Sequence, residues 1–127
     1  MSKRESLYHK YPDYRVELEA NPKRVQVRLE SELIADSERT LLVKETRHEA
    51  VVYFPREDVR FDLLERTEHE SFCPFKGVAS YWTLRALGRA EDNVVWSYEE
   101  PFDQVTGLKD YVSFYTDRVE MREGGDA

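Results

Sequence analysis

"RVQVRLE", residues 24–30, alternates Val25, Val27 and Leu29 with Arg24, Gln26, Arg28 and Glu30. A period of two sends the apolar side chains to one face and the polar ones to the other, the mark of a β-strand with one wet face. The chain on either side reads in the same way. "ELIAD" (32–36) and "TLLVKET" (40–46) follow, separated by the polar "SER" (37–39), and predict a second and third strand joined by a hairpin. "AVVYF" (50–54) is β-branched or aromatic on both faces, as a central strand is, and Pro55 stops it because proline has no ladder donor. After a turn at "PRED", Val59, Phe61 and Leu63 alternate with Asp58, Arg60, Asp62 and Leu64, which predicts a strand whose outer face pairs unlike charges. "ASYWTLRAL", "NVVWSY", "YVSFY" and "RVEM" continue the series, spaced by turn formers such as "GRAEDN", "EEPFDQVTG" and "TDR". The expected class is all-β and mainly antiparallel, with short helices or none.

Composition sets the outer limits. A chain of 127 residues with 40% apolar content fits one domain, large enough to bury roughly two thirds of the surface that its unfolded form exposes. The expected division is a loosely ordered segment over 1–14, the domain over 15–121 and a disordered tail over 122–127, where "EGGDA" has no apolar side chain larger than alanine. Nineteen basic against 26 acidic residues leave a formal charge of −7. No run of lysine or arginine could neutralise successive phosphates, so duplex nucleic acid is not an expected partner. The longest apolar run is five residues, where a membrane-spanning helix needs about twenty. Cys73 is the only cysteine and the first residues lack the apolar core of a secretory signal, so a cytoplasmic setting is expected.

"HESFCPFKGVASYW" (69–82) concentrates reactive residue types. A thiolate is the nucleophilic form of cysteine and is favoured by a nearby cation. In "CPFK" the proline stiffens a tight turn that brings its first and fourth residues together, so the Lys76 ammonium can approach Cys73. With His69 or Tyr81 to handle protons, Cys73 and Lys76 form a candidate catalytic set for acyl transfer or redox chemistry. The competing reading is a small buried thiol with Lys76 in solvent. Other chemistries lack their residues. The five glycines form neither a dinucleotide fingerprint nor a phosphate loop. "HESFC" supplies at most two metal ligands, so no metal and no cofactor are expected.

The aromatic residues make a second constellation. Tyrosine and tryptophan combine a flat apolar body with a polar tip, and a set of them around a concave site suits a small ligand. Tyr53, Tyr81, Trp96 and Tyr98 are the expected lining, Ser80 is placed with them, and Arg56 and Lys76 would meet an anionic group. The expected partner is a small polar or anionic molecule, with a protein-interaction module as a further alternative; the oligomeric state is left open.

Two longer stretches, "VYFPREDVRFDLLERTEHESFCPFKGVASYW" (52–82) and "NVVWSYEEPFDQVTGLKDYVSFYTDRVE" (93–120), carry a family resemblance. Tyr53-Phe54-Pro55, "CPFKG", Ser80-Tyr81-Trp82, Trp96-Ser97-Tyr98, Gly107, Lys109, Tyr111 and Phe114 resemble the hallmarks of domain of unknown function 427, over about residues 16 to 121. The resemblance implies a β-tent, or Mss4-like, arrangement of two antiparallel sheets packed at an angle around a cleft. Related β-tent proteins often carry zinc between two cysteine pairs, and this chain has one cysteine, so the zinc is not carried over. The family is sometimes labelled nucleotidyltransferase-like, which hints at a nucleotide-sized ligand. That chemistry needs a glycine-serine turn and an Asp-x-Asp pair, and neither occurs here.

Overall fold

The computed structural model describes residues 5–124. Its ten strands are β1 (Val16–Ala20), β2 (Val25–Leu29), β3 (Glu32–Ser37), β4 (Leu41–Glu45), β5 (Val51–Pro55), β6 (Leu64–Cys73), β7 (Gly77–Ala86), β8 (Arg89–Ser97), β9 (Tyr111–Phe114) and β10 (Glu120–Glu123). Seven of them form one sheet in the order β1-β4-β5-β9-β8-β7-β6, and three form a second in the order β10-β2-β3. Every pairing is antiparallel. Helical backbone among the described residues is limited to 3-10 turns at Arg56–Asp58, Phe61–Leu63 and Asp103–Leu108. The all-β, antiparallel class is as expected.

The alternation that opened the reading builds the core. Val25, Val27 and Leu29 are buried and, with Ile34 and Ala35, face Phe54, Trp82, Leu84, Val95, Val112 and Phe114 of the larger sheet. Each such side chain contributes about 1.5–3 kcal/mol by leaving water. The larger sheet is apolar on its other face too. There Val43, Tyr53, Ala79, Tyr81 and Tyr98 pack with Val105 and Leu108, which come from the 3-10 turn Asp103–Leu108. Two apolar faces explain why "AVVYF" shows no alternation: Phe54 enters the first cluster and Tyr53 the second.

Three strand expectations need correction. β3 and β4 are not a hairpin, because β3 pairs with β2 in the smaller sheet whereas β4 pairs with β1 and β5 in the larger. Residues 38–40 therefore cross between sheets. Val59, Phe61 and Leu63 do not alternate along a strand; the segment is two 3-10 turns, fastened by Arg60 N–H donating to the Ile34 carbonyl at 2.8 Å. "GRAEDN" is mostly strand, since β8 starts at Arg89 and the turn narrows to Leu87 and Gly88, both at positive φ.

Residues 5–15 form no strand but are tied down. Leu7 N–H donates to the Pro74 carbonyl at 3.0 Å, and the Tyr8 hydroxyl donates to the Phe75 carbonyl at 2.5 Å. The Phe75 ring stacks on Tyr14 at 3.8 Å and meets the edges of Tyr8 and Tyr11. At the other end residues 122 and 123 complete β10, and Gly124 N–H donates to the Arg24 carbonyl. What was expected of residues 1–4 and 125–127 lies outside the described residues.

Candidate ligand-binding site

Strand alternation builds the site from three neighbouring elements. Tyr53 on β5, Tyr81 on β7 and Trp96 on β8 share the face away from the smaller sheet, because Phe54, Trp82 and Val95 beside them point between the sheets. Tyr98, two residues beyond Trp96, joins the same cluster. These four rings line a partly open cavity of about 180 Å³. Glu45 and Lys76 supply its charged groups, and Val43, Val51 and Tyr115 complete the wall. Val51 and Tyr115 are exposed and mark the mouth.

The rings are held by their polar tips. Trp96 Nε1–H donates to Tyr53 Oη at 3.1 Å, with the two rings perpendicular. Tyr81 Oη and Ser71 Oγ share a hydrogen bond at 2.8 Å, and Tyr115 leans on Trp96 with ring centroids 4.6 Å apart. Among the described residues neither Tyr53 Oη–H nor Tyr98 Oη–H has an acceptor. Tyr53 is 2% exposed and Tyr98 8%. No fully buried side-chain nitrogen or oxygen among the described residues lacks a partner. The unbonded Tyr98 oxygen is therefore not fully buried, and Tyr98 is one of the residues that line the cavity.

Lys76 is 7% exposed and does not lie in solvent. The turn over Cys73–Lys76 closes with Lys76 N–H on the Cys73 carbonyl at 3.2 Å, and Gly77 leaves it at φ +122°. This folds the side chain inward, where Nζ donates to Glu45 Oε1, lies 3.7 Å from Cys73 Sγ and stands 5.8 Å from the centre of the Tyr98 ring. The Tyr14 hydroxyl donates to the other Glu45 oxygen. Burial pushes the Glu45 carboxyl up, but the hydrogen bonds from Lys76 and Tyr14 outweigh it and hold the group below the ordinary carboxylate range. Burial, reinforced by Glu45 and Cys73, raises Tyr98 and Tyr53 well above a normal phenol, the Trp96 hydrogen bond opposing it only in part at Tyr53.

Of the expected ligand-binding residues, Tyr53, Tyr81, Trp96, Tyr98 and Lys76 come together, while Arg56 and Ser80 do not join them. Ser80 accepts a 2.9 Å hydrogen bond from Arg66, whose guanidinium sits 5.2 Å from the Trp82 ring centre and also pairs with Glu99 at 2.7 Å. Arg56 stacks over Phe61 at 4.2 Å and reaches the same Glu99 at 3.6 Å. These residues form an ion-paired patch around Trp82, on the opposite side of β7 from Tyr81. Of the expected catalytic set, Cys73 and Lys76 are in contact, whereas exposed His69 lies against Tyr81, ring centroids 4.4 Å apart. Among the described residues no hydrogen bond joins His69 to Cys73. A larger open hollow of about 390 Å³, over Asp62, Leu63, Leu64, Glu65 and Arg85, touches none of the candidates. The sequence reading missed Glu45. Its place at the end of "TLLVKET" looks like any wet strand position, and its partner is 31 residues away.

An all-β domain with a small aromatic cavity on the outer face of its larger sheet is the class defined by this geometry. The chain belongs to the family described as Domain of unknown function (DUF427), whose model matches residues 17–124. No curated protein matches it. Among the described residues no helix is long and apolar enough to cross a membrane, and no three His, Cys, Asp or Glu side chains are grouped to hold a metal.

Proposed function

We propose that the domain is a small-molecule-binding module of the reducing cytoplasm, and that its ligand occupies the cavity between Tyr53, Tyr81, Trp96 and Tyr98. The observation that carries this is the partly open cavity lined by the four rings, at which the Tyr53 and Tyr98 hydroxyl protons have no acceptor among the described residues. Something outside the protein must satisfy such donors. Water can do so, and a ligand oxygen can do so while burying its own apolar part against the rings. The cavity volume of about 180 Å³ matches roughly six waters of liquid. That favours a compact molecule over a whole nucleotide.

A thermal-shift screen against a panel of small polar metabolites tests the proposal. At a hundred times its dissociation constant a ligand adds about 2.7 kcal/mol, which in a domain of this size raises Tm by roughly 10 °C. Silence across the panel would sink the binding role.

Cysteine chemistry is the second reading, favoured by the 3.7 Å contact between Lys76 Nζ and Cys73 Sγ. Two features weaken it. The Lys76 charge is shared with Glu45, and His69 is engaged with Tyr81. Alkylation of Cys73 by iodoacetamide at neutral pH, compared with glutathione, separates the two readings. A rate at or below that of glutathione leaves the thiol as part of the turn.

A further inference from the structure

We infer that the cavity selects an uncharged carbonyl compound, such as an amide, and rejects the carboxylate of the same shape. This rests on the reading of the cavity as a ligand site, and replaces the anion that Lys76 and Arg56 suggest in the sequence. Arg56 faces the Trp82 patch and contributes nothing to the cavity. Lys76 is present but already neutralised. Its ammonium is bonded to Glu45, and Glu45 is kept ionised by Lys76 and Tyr14 together. An entering anion would make the local sum of charges negative, beside an ion pair that is itself nearly buried. It could take only the third N–H of Lys76, because Glu45 keeps its place, tethered through its second oxygen to Tyr14, whose ring is stacked on Phe75.

The tyrosines report the same bias. A phenolate is an anion generated inside the cavity, and burial together with Glu45 disfavours it at both Tyr53 and Tyr98. The donors that remain are neutral or already balanced: the Tyr53 proton, the Tyr98 proton and the third N–H of Lys76, since an ammonium has three and two are spent. A carbonyl oxygen accepts two hydrogen bonds and needs no counter-charge. The rings of Tyr53, Trp96 and Tyr115 wall the cavity with apolar surface for the group attached to that carbonyl.

The test is a matched pair of probes, benzamide against benzoate, with propionamide against propionate as a smaller pair, titrated calorimetrically into the full chain at pH 7. Each amide should bind about tenfold or more tightly than its acid. The Glu45→Gln variant leaves Lys76 uncompensated and should shift that ratio at least tenfold towards the acid. Should Glu45→Gln fold poorly, Tyr98→Phe keeps the cavity's shape and removes one donor, and a loss of about fivefold or more in amide affinity is expected. An acid that binds as well as its amide, or an amide indifferent to Tyr98→Phe, overturns the inference and leaves the binding role standing. If neither pair binds while another panel compound raises Tm, the inference alone falls. If the panel is silent as well, both fall.

Discussion

Gly77 starts β7 at φ +122°, a backbone state that side chains with a Cβ rarely adopt. A methyl group there would meet its nearest atom, the Glu100 carbonyl oxygen, at an ordinary 3.4 Å, so the objection to alanine is torsional. Gly77→Ala should therefore cost about 1–3 kcal/mol in a denaturant titration, more than a conformationally neutral exchange shifts stability. A change under half a kcal/mol would mean that the turn relaxes without strain. Single residues also show what the sequence could and could not disclose about the site. Tyr53, Tyr81, Trp96 and Tyr98 were legible because buried aromatic residues with polar tips stand out on strands. Ser80 and Tyr81 are neighbours on one strand and point to opposite faces, so the strand rule itself excludes a shared cavity. Arg56 is misplaced for a similar reason, since the turn after Pro55 carries it towards Phe61 and Trp82.

Two elements remote in sequence meet where the end of β4 touches the turn between β6 and β7. The Lys76–Glu45 ion pair joins them, and both side chains are nearly buried. Removing one partner strands the other charge, so Lys76→Met should destabilise the fold by about 3 kcal/mol or more, whereas Lys76→Met with Glu45→Leu should recover much of that loss. Additive single costs in this cycle would mean that the pair is not coupled. The sign of the acid dependence follows from the depressed Glu45 group. Its contribution is present above the unfolded pKa of about 4.3 and is lost as pH falls through the lower folded value, so Glu45→Gln should flatten that part of the stability profile. Elements are legible where a local pattern decides them, the alternation of β2 or the β-branched and aromatic run of β5. They were misread where a long-range contact decides. Val16 and Leu18 alternate with Glu17 and Glu19 in β1, but a five-residue strand at an edge, beside a tyrosine-rich segment, gives a weak local signal. The β3–β4 hairpin looked right because the length of a connection does not say which sheet the chain enters next.

Across the whole molecule, five tyrosines resist ionisation, and burial is the first cause at each. Tyr8 and Tyr115 are pushed up to about 12, and Tyr14, Tyr53 and Tyr98 lie higher still. Above the unfolded value of about 10 the unfolded chain releases phenolic protons that the folded chain retains, so stability is full below that pH and falls steeply as pH rises towards the folded values. Circular dichroism and phenolate absorbance should therefore change together in one cooperative alkaline transition. Phenols of Tyr53 and Tyr98 that titrate near pH 10 in an intact fold would contradict the burial of those two rings. The central claim, that a ligand is held by the unspent hydroxyls of the cavity, has a more direct reporter. Trp96 and Trp82 are the only tryptophans, one at the cavity with its indole N–H on Tyr53 and the other in the core between the sheets. In a proton–nitrogen correlation spectrum titrated with benzamide, or with any panel compound that raises Tm, the Trp96 indole signal should move along a saturable curve while that of Trp82 stays in place. A Trp96 signal unmoved by a saturating compound that raises Tm, or a shift at Trp82 in its stead, would contradict the account.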